Sequence, residues 1–332
     1  MPLTVDPYTA EVLVYFDVHN LTFRAAEAPG PPAGFKNKQG FPTGYMFISV
    51  GKVYAALRHY GLKHGKRTCL MLSAQENSMH RKKMYPGYKA GRVHREYSSF
   101  EVTNYVGKIQ ERTPDPVQDF MEAMSLIPSV NVVMKTPHET DDAIASSVTQ
   151  LKKVNHKATF VIVSNDRDLW ALQGPRVICT SKPGAEFTLD DLEKAYLTRN
   201  PRLLPLAKAL FGDSSDKIKK AVARVTEDNF PKHFLDRVVP VNGESLAESF
   251  ELALKKNKKL ISGTSLEKCL GKTKEIETVL DVIRLRKKLK LLYVTAKPDM
   301  KKMLALLDWY ELKSLVKGTQ EMFASYQSGL KP

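Results

Sequence analysis

Four segments of this chain bring carboxylates to the end of an apolar run: VYFDVHNLTFR (14–24), KTPHETDDAIASSV (135–148), ATFVIVSNDRDLWAL (158–172) and LFGDSSDKIKKAV (210–222). They supply Asp17, Glu139, Asp141, Asp142, Asp166, Asp168, Asp213 and Asp216. A carboxylate just past a hydrophobic strand lies at the carboxyl edge of a sheet, where open α/β folds place their sites. Carboxylates gathered there cannot all ionise unless cations neutralise them. The donors are all oxygens with no His/Cys set beside them, which suits Mg²⁺ or Mn²⁺ rather than zinc. Two such ions about 4 Å apart would activate water and stabilise a leaving oxygen in phosphodiester hydrolysis. Taken singly, each acid has a plain structural use. Asp17 and Asp213 suit turn caps, and the acids at 139–142 suit the first turn of a helix. Asp166 and Asp168, two apart on an extended edge, point the same way. The combination carries the reading.

The remaining composition fits a phosphate-bearing partner. Of 332 residues, 51 are Lys or Arg and 36 are Asp or Glu, a formal net charge of +15. Affinity for nucleic acid comes largely from phosphate neutralisation, although ribosomes and membrane surfaces also attract basic chains. A hydrophobic content of 42% argues for a folded core. Cys69, Cys179 and Cys269 are widely spaced and form no zinc pattern, as in a protein of a reducing compartment. The opening MPLTVDPYTAEVL lacks the basic lead and apolar stretch of a signal peptide, and no run is long enough to span a bilayer. A cytoplasmic protein without membrane contact is the expectation. The stretch HRKKMYPGYKAGR (80–92) interleaves Arg81, Lys82, Lys83, Lys89 and Arg92 with Tyr85 and Tyr88. Basic residues among aromatics suit single-stranded nucleic acid, which binds through phosphates and stacked bases. Lys89 and Arg92 would share a face if that stretch were helical. Without the acids nearby, the same stretch would read as a solvated loop.

Strand-like and helix-like runs must position these groups. Strands are predicted at 11–17, 67–73, 131–135, 158–164 and 176–180, with a Pro/Gly-rich loop at 28–44. Helical spacing covers 45–61, closed by Gly61, and also 95–112 and 115–127, punctuated by Pro114 and Pro116. Such alternation predicts an α/β fold with a mostly parallel sheet flanked by helices. From about 203 the pattern is helical, with Lys-rich intervals at 255–259 and 284–290; RLRKKLK (284–290) reads as a basic helix. A division near 205 gives an α/β domain (1–205) and a helical region (206–332) that must return Asp213 and Asp216 to the first domain. Leu169 and Trp170 read as packing under the site.

The ordered set FDVHNLTFR, YPGYKAGR, HETDD, SNDRDL and GDSSDKI resembles the structure-specific 5′-nuclease family. Its members include flap endonucleases, bacteriophage 5′-exonucleases and the nuclease domain of bacterial DNA polymerase I. The match spans roughly 11–220, and helical segments near 275–315 are compatible with the family's C-terminal part. The resemblance implies a PIN-like fold with a helical arch near 80–127 and a helical C-terminal DNA-binding part. It implies two ions, Mg²⁺ or Mn²⁺. Asp17, Glu139 and Asp141 would serve the first, Asp213 and Asp216 the second, with Asp166 and Asp168 between them and Asp142 acting through water. Lys89 and Arg92 would meet the scissile phosphate. Arg81, Lys82, Lys83, Tyr88, Lys217, Lys219 and Lys220 would bind DNA.

The implied activity is 5′→3′ exonuclease and flap cleavage by a monomer on branched or 5′-ended DNA or RNA–DNA hybrids, alongside replication proteins. The sequence departs from the family in three places. The second strand ends LMLSAQE, so an acid usual near Ser73–Ala74 is missing and Glu76 is the nearest. No glycine lies between 217 and 242, so the usual helix–hairpin–helix is altered or absent. His19 replaces a residue that is usually small, and reads best as structural. The missing acid also motivates a rival reading, a DNA-binding relative with little catalysis.

Overall fold

Val12–Asp17 (β1) is apolar along its length and buried throughout, which requires cover on both faces and a place in mid-sheet. The computed structural model describes residues 4–328 apart from 31–33, 76, 92–96, 135–136, 232 and 241–243. The further strands are β2 (Thr68–Ser73), β3 (Phe100–Thr103), β4 (Ile109–Arg112), β5 (Val130–Met134), β6 (Thr159–Val163), β7 (Val177–Thr180) and β8 (Leu292–Thr295). Six of them form one sheet in the order β7-β6-β1-β2-β5-β8. All its pairings are parallel except β5 with β8. The five strands read from the sequence are its five parallel members. Because β1 lies between β6 and β2, the carboxyl ends of all three reach one edge. Asp17 stands in register with Ser73 there.

The helices are α1 (Val18–Glu27), α2 (Gly44–Tyr60), α3 (Met79–Met84), α4 (Pro116–Met124), α5 (Thr140–Val154), α6 (Leu189–Tyr196), α7 (Leu204–Phe211), α8 (Leu246–Lys256), α9 (Lys258–Ile261), α10 (Thr273–Ile283), α11 (Met300–Trp309) and α12 (Lys313–Ser328). The predicted helix over 95–112 is not present in its described part. β3 and β4 form an antiparallel hairpin instead. Turn chemistry decided this: the Asn104 side chain accepts from the Val106 and Lys108 amides, and Gly107 takes φ +82°. In its described residues the region 80–127 holds α3, a turn-rich segment, the hairpin and α4, so of the two helices predicted there the one at 115–127 forms and the one at 95–112 does not.

Two cores support the structure. The first gathers the sheet with α1, α2, α4 and α5, and includes Leu306, Tyr310, Phe323 and Tyr326 from the end of the chain. The second runs from Leu203 to Ile283 and takes in Tyr88. The chain thus leaves the first core near 203 and returns to it after 283, which a single boundary at 205 does not describe. RLRKKLK has no regular secondary structure where a helix is expected. Side chains of α5 capture its backbone: the Arg286 amide donates to Asp142 at 2.8 Å, Ser146 Oγ to the Arg286 carbonyl at 2.6 Å, and Gln150 to the Leu289 carbonyl at 2.7 Å. The chain then enters the sheet as β8. Cys69, Cys179 and Cys269 are free and buried. No described helix is long and apolar enough to cross a membrane.

The hairpin is tied to the body by Gln39 and Trp309, which hydrogen-bond the Thr103 backbone, and by the half-buried Arg112 paired with buried Asp119. Arg112 donates to Asp119 and lies over the rings of Phe41 and Trp309, while the Tyr45 hydroxyl also donates to Asp119. Arg112→Met should cost about 3–5 kcal/mol in urea unfolding, because it leaves a buried carboxylate without its cation. Adding Asp119→Asn should recover part of that loss. No recovery in the double variant would show that Arg112 acts by packing alone.

Candidate metal centre

Each acid of the sheet edge is held by the start of a helix or a turn. Asp17 ends β1 and caps α1, accepting from the Asn20 amide at 3.0 Å. Asp166 follows β6 and caps the 3₁₀ turn Arg167–Leu172, accepting from the Asp168 amide at 2.9 Å. Asp141 lies in the first turn of α5, where the helix dipole favours a negative charge. One carboxylate oxygen from each of Asp17, Asp141 and Asp166 falls within 4.8 Å of the others. Asp168, Asp213 and Asp216 form a second trio of the same dimensions.

Asp213 and Asp216 share a closed loop. The Asp213 and Ile218 backbones exchange hydrogen bonds at 2.9 and 2.8 Å, and Asp213 Oδ1 accepts from the amide and hydroxyl of Ser215. Gly212 enters that loop at φ +83°, where a Cβ would also lie 3.2 Å from the Ile218 carbonyl, so only glycine fits without strain. Both trios offer only buried or half-buried carboxylate oxygens. Such donor sets suit hard divalent ions.

Among the described residues, Arg81, Lys89 and Lys208 pair with acids in and around these trios. Arg81, 2% exposed, bridges Glu139 and Asp142, and donates to the Tyr88 hydroxyl as well. Lys89 pairs with the other oxygen of Glu139, and its amide donates to the Asp216 carbonyl at 2.9 Å. Lys208, 6% exposed, donates to Asp168 and, at 2.7 Å, to Asp213. Electrostatics divide the acids accordingly. Burial alone would push Glu139 and Asp213 up, but Arg81 with Lys89, and Lys208, hold them below the ordinary carboxylate range. Asp141 is driven well above that range by burial and then by the charges of Asp166 and Asp17. Asp166 is pushed up to about 6 by burial and by Asp168.

The sequence-predicted acids converge. Asp166 falls in one trio and Asp168 in the other, and Asp166 also feels the charges of Asp168 and Asp216, so the pair stands where the two trios adjoin. Glu139 and Asp142 belong to neither trio and are held by cations. Arg81 and Tyr88, expected to meet DNA, are buried; Tyr88, 1% exposed, packs in the second core and donates to Glu139. Lys82, Lys83, Lys217, Lys219 and Lys220 are exposed. Lys89 takes φ +52° in a turn and is not helical. Arg92 and Glu76 lie outside the described residues.

Ser73 is buried beside Asp17 and its hydroxyl has no hydrogen-bond partner among the described residues. His19 bonds the Ala74 carbonyl at 2.9 Å. Between 212 and 245 the only helical elements of the described residues are the single turns 227–229 and 235–237, with no helix–hairpin–helix. Sequence reasoning passed over Lys208. Its signal was a lone cation in the otherwise apolar LPLAKALF, five residues before Asp213.

The first trio opens into a cavity of about 210 Å³ lined in part by His19, Asn20, Arg24, Gln75, Lys89 and Glu139. A larger cavity of about 830 Å³ between α2 and α12 is mainly apolar, with Glu321 its only acid among the described residues.

Residues 12–197 match the family model of the 5′-3′ exonuclease N-terminal, resolvase-like domain. No curated protein matches the chain by sequence. Among solved structures, the D15 protein of bacteriophage T5, co-crystallised with metal ions, is 15% identical with a TM-score of 0.50, covering 95% of this chain and 99% of its own. That likeness shows the fold. Flap endonuclease-1 from Methanococcus jannaschii is 14% identical with a TM-score of 0.48, covering 98% of this chain and 96% of its own.

The raised acids make cation binding depend on pH. Asp166 titrates near 6 in the folded, metal-free protein against 3.8 ordinarily. Its protonation therefore favours folding fully below the lower value, and that contribution is lost as pH rises through the upper one. A divalent ion must displace the same proton. The rise in Tm on adding Mn²⁺ should be large above about pH 7 and much smaller near pH 5.5. An equal rise at both pH values, read by scanning fluorimetry, would place the ions away from Asp141 and Asp166.

Proposed function

The chain belongs to the 5′-3′ exonuclease family, whose N-terminal resolvase-like domain it matches over more than half its length, and from this premise we propose that it is a divalent-metal-dependent 5′→3′ exonuclease and flap endonuclease. The observation that carries the proposal is the meeting of two carboxylate trios from four distant chain segments at one sheet edge, with Lys89 presented beside them. Asp17, Asp141 and Asp166 would hold one ion, and Asp168, Asp213 and Asp216 the other, with Mg²⁺ or Mn²⁺ the best fit. When bound, such ions supply an activated water and charge stabilisation at the leaving oxygen.

The chain's own residues do the remaining work. Glu139 and Asp142 hold Arg81 and Lys89 in place rather than ligating an ion. Lys89, already at the cavity wall, is the group to meet the scissile phosphate. Exposed Lys82, Lys83, Lys217, Lys219 and Lys220 would attract the nucleic-acid backbone. The substrates would be branched or 5′-ended DNA and RNA–DNA hybrids, with primer or flap removal in replication as the setting. A second reading, a structure-specific DNA-binding relative with weak catalysis, is favoured by the missing acid at Ser73–Ala74. End-labelled flap, nicked and hybrid substrates, with and without Mg²⁺, separate the two.

Asp166→Ala and Asp168→Ala should each lower single-turnover cleavage by roughly 10²–10³-fold or more. DNA binding should be kept or strengthened, since a repulsive charge is removed. Near-normal turnover in both variants would sink the assignment of the trios. Lys89→Ala should lose about 10²-fold in single-turnover rate and little in affinity, because its charge matters most in the transition state. A loss confined to affinity would make Lys89 an ordinary backbone contact.

A further inference from the structure

Lys208 has no place in the reaction as described so far, yet it is among the most buried charges in the protein. It lies in α7 between Ala207 and Ala209, with Leu204, Leu206 and Leu210 buried along the same helix. Its ammonium emerges only at the second trio, where it donates to two of the three carboxylates, Asp168 and Asp213. The first trio differs. No lysine or arginine of the described residues hydrogen-bonds Asp141 or Asp166, and the nearby ammonium of Lys89 is bonded to Glu139 instead. The second trio therefore carries a lysine bonded to two of its acids, whereas Asp141 and Asp166 have none bonded to them among the described residues.

We infer that Lys208 is a built-in cation at the Asp168–Asp213–Asp216 trio and sets how weakly a divalent ion is held there. The inference rests on reading that trio as an ion site. An ion approaching it meets carboxylate oxygens already engaged by an ammonium, and is repelled by that ammonium at short range. The amine cannot easily move away. Its stem is packed in a helix, and a charge leaving its buried partners must be solvated elsewhere. The ammonium also keeps the 213–218 loop against the end of β6 when no ion is present, so the trio does not spring apart through its own repulsion. The same residue thus preserves the geometry of the site and lowers its affinity.

A purely structural lysine predicts the opposite sign for its removal, and this makes the inference testable. Mn²⁺ binding to the full chain without DNA would be followed by calorimetry and by the electron paramagnetic resonance of free Mn²⁺. The parent should show a tighter and a weaker site, and Asp213→Asn should abolish the weaker one. Lys208→Met, of similar length without charge, should tighten the weaker site at least tenfold and leave the tighter one unchanged. Lys208→Gln should do the same while keeping a hydrogen-bond donor, and Lys208→Arg should bind like the parent.

An unchanged or lost weaker site in Lys208→Met and Lys208→Gln overturns the inference, leaving Lys208 as a strut of the loop. A variant that folds only when Mn²⁺ is present supports it, because the ion then replaces the missing charge. Variants that fold in neither condition overturn it. If Asp213→Asn alters neither site in the parent, the failure lies with the reading of the trio itself, and not with Lys208.

Discussion

Repulsion among like charges is the constraint on which this structure turns. Eight carboxylates reach one edge of the sheet, and most of them are buried. Acids so close cannot all remain ionised without cations among them. The fold answers with positive charge brought from distant parts of the chain: Arg81 from α3, Lys89 from the turn that follows, and Lys208 from α7. Each cation is buried or half-buried and touches at least one acid. Where no such cation is hydrogen-bonded, at Asp141 and Asp166, the acids are driven towards their protonated forms. The site therefore contains groups already satisfied and groups still seeking a cation. The second kind marks where an ion is most needed.

The same ion pairs join elements that the main chain leaves far apart. Asp142 accepts from Arg81 of α3 and from the Arg286 amide, so one carboxylate joins the start of the arch to the chain's return from the second core. Lys89 joins the arch to Asp216 through its backbone and to Glu139 through its side chain. Tyr88 carries the arch into the second core while its hydroxyl reaches Glu139. Freeing Lys89 or Arg81 exposes a buried carboxylate to an unpaired state, which is costly. The start of the arch region and the charge of the carboxylate cluster are thus joined through one set of contacts.

The parallel sheet and the acid set could be read from the sequence because each depends on local pattern. An apolar run buried on both faces announces a central strand, and an acid at its end announces a helix cap at the carboxyl edge. VYFD and VIVSND carry both signals within a few residues. The roles of the basic residues could not be read that way. HRKKMYPGYKAGR looks uniform as a string, yet Arg81 and Tyr88 are buried while Lys82 and Lys83 face solvent. Elements more than fifty residues away decide between them: the start of α5 for Arg81, and the second core together with Glu139 for Tyr88.

The hairpin at 100–112 shows a local rule overriding another. Helical spacing was present, and the Asn104–Gly107 turn outweighed it. RLRKKLK shows a distant rule winning, because hydrogen bonds from α5 pull its backbone out of a helix.

Two features at the acid clusters, the strand end beside Asp17 and Lys208, act in the same electrostatic direction. The strand beside Asp17 ends in Ser73, where the resemblance implies another acid nearby; unless Glu76 takes that place, the first trio would carry less negative charge than a full set. The second trio shares two of its acids with Lys208. Lower negative charge at either trio weakens the hold on a divalent ion. Under the proposed function it would also lower the repulsion met by a phosphate approaching the same carboxylates. A site with every acid present and no lysine would gather ions strongly and oppose an approaching polyanion strongly whenever those ions were missing. Here the balance moves towards the polyanion. That agrees with a chain whose exposed charge is dominated by Lys and Arg, and whose arch sets Lys82 and Lys83 in solvent close to the pairs that hold Glu139 in place.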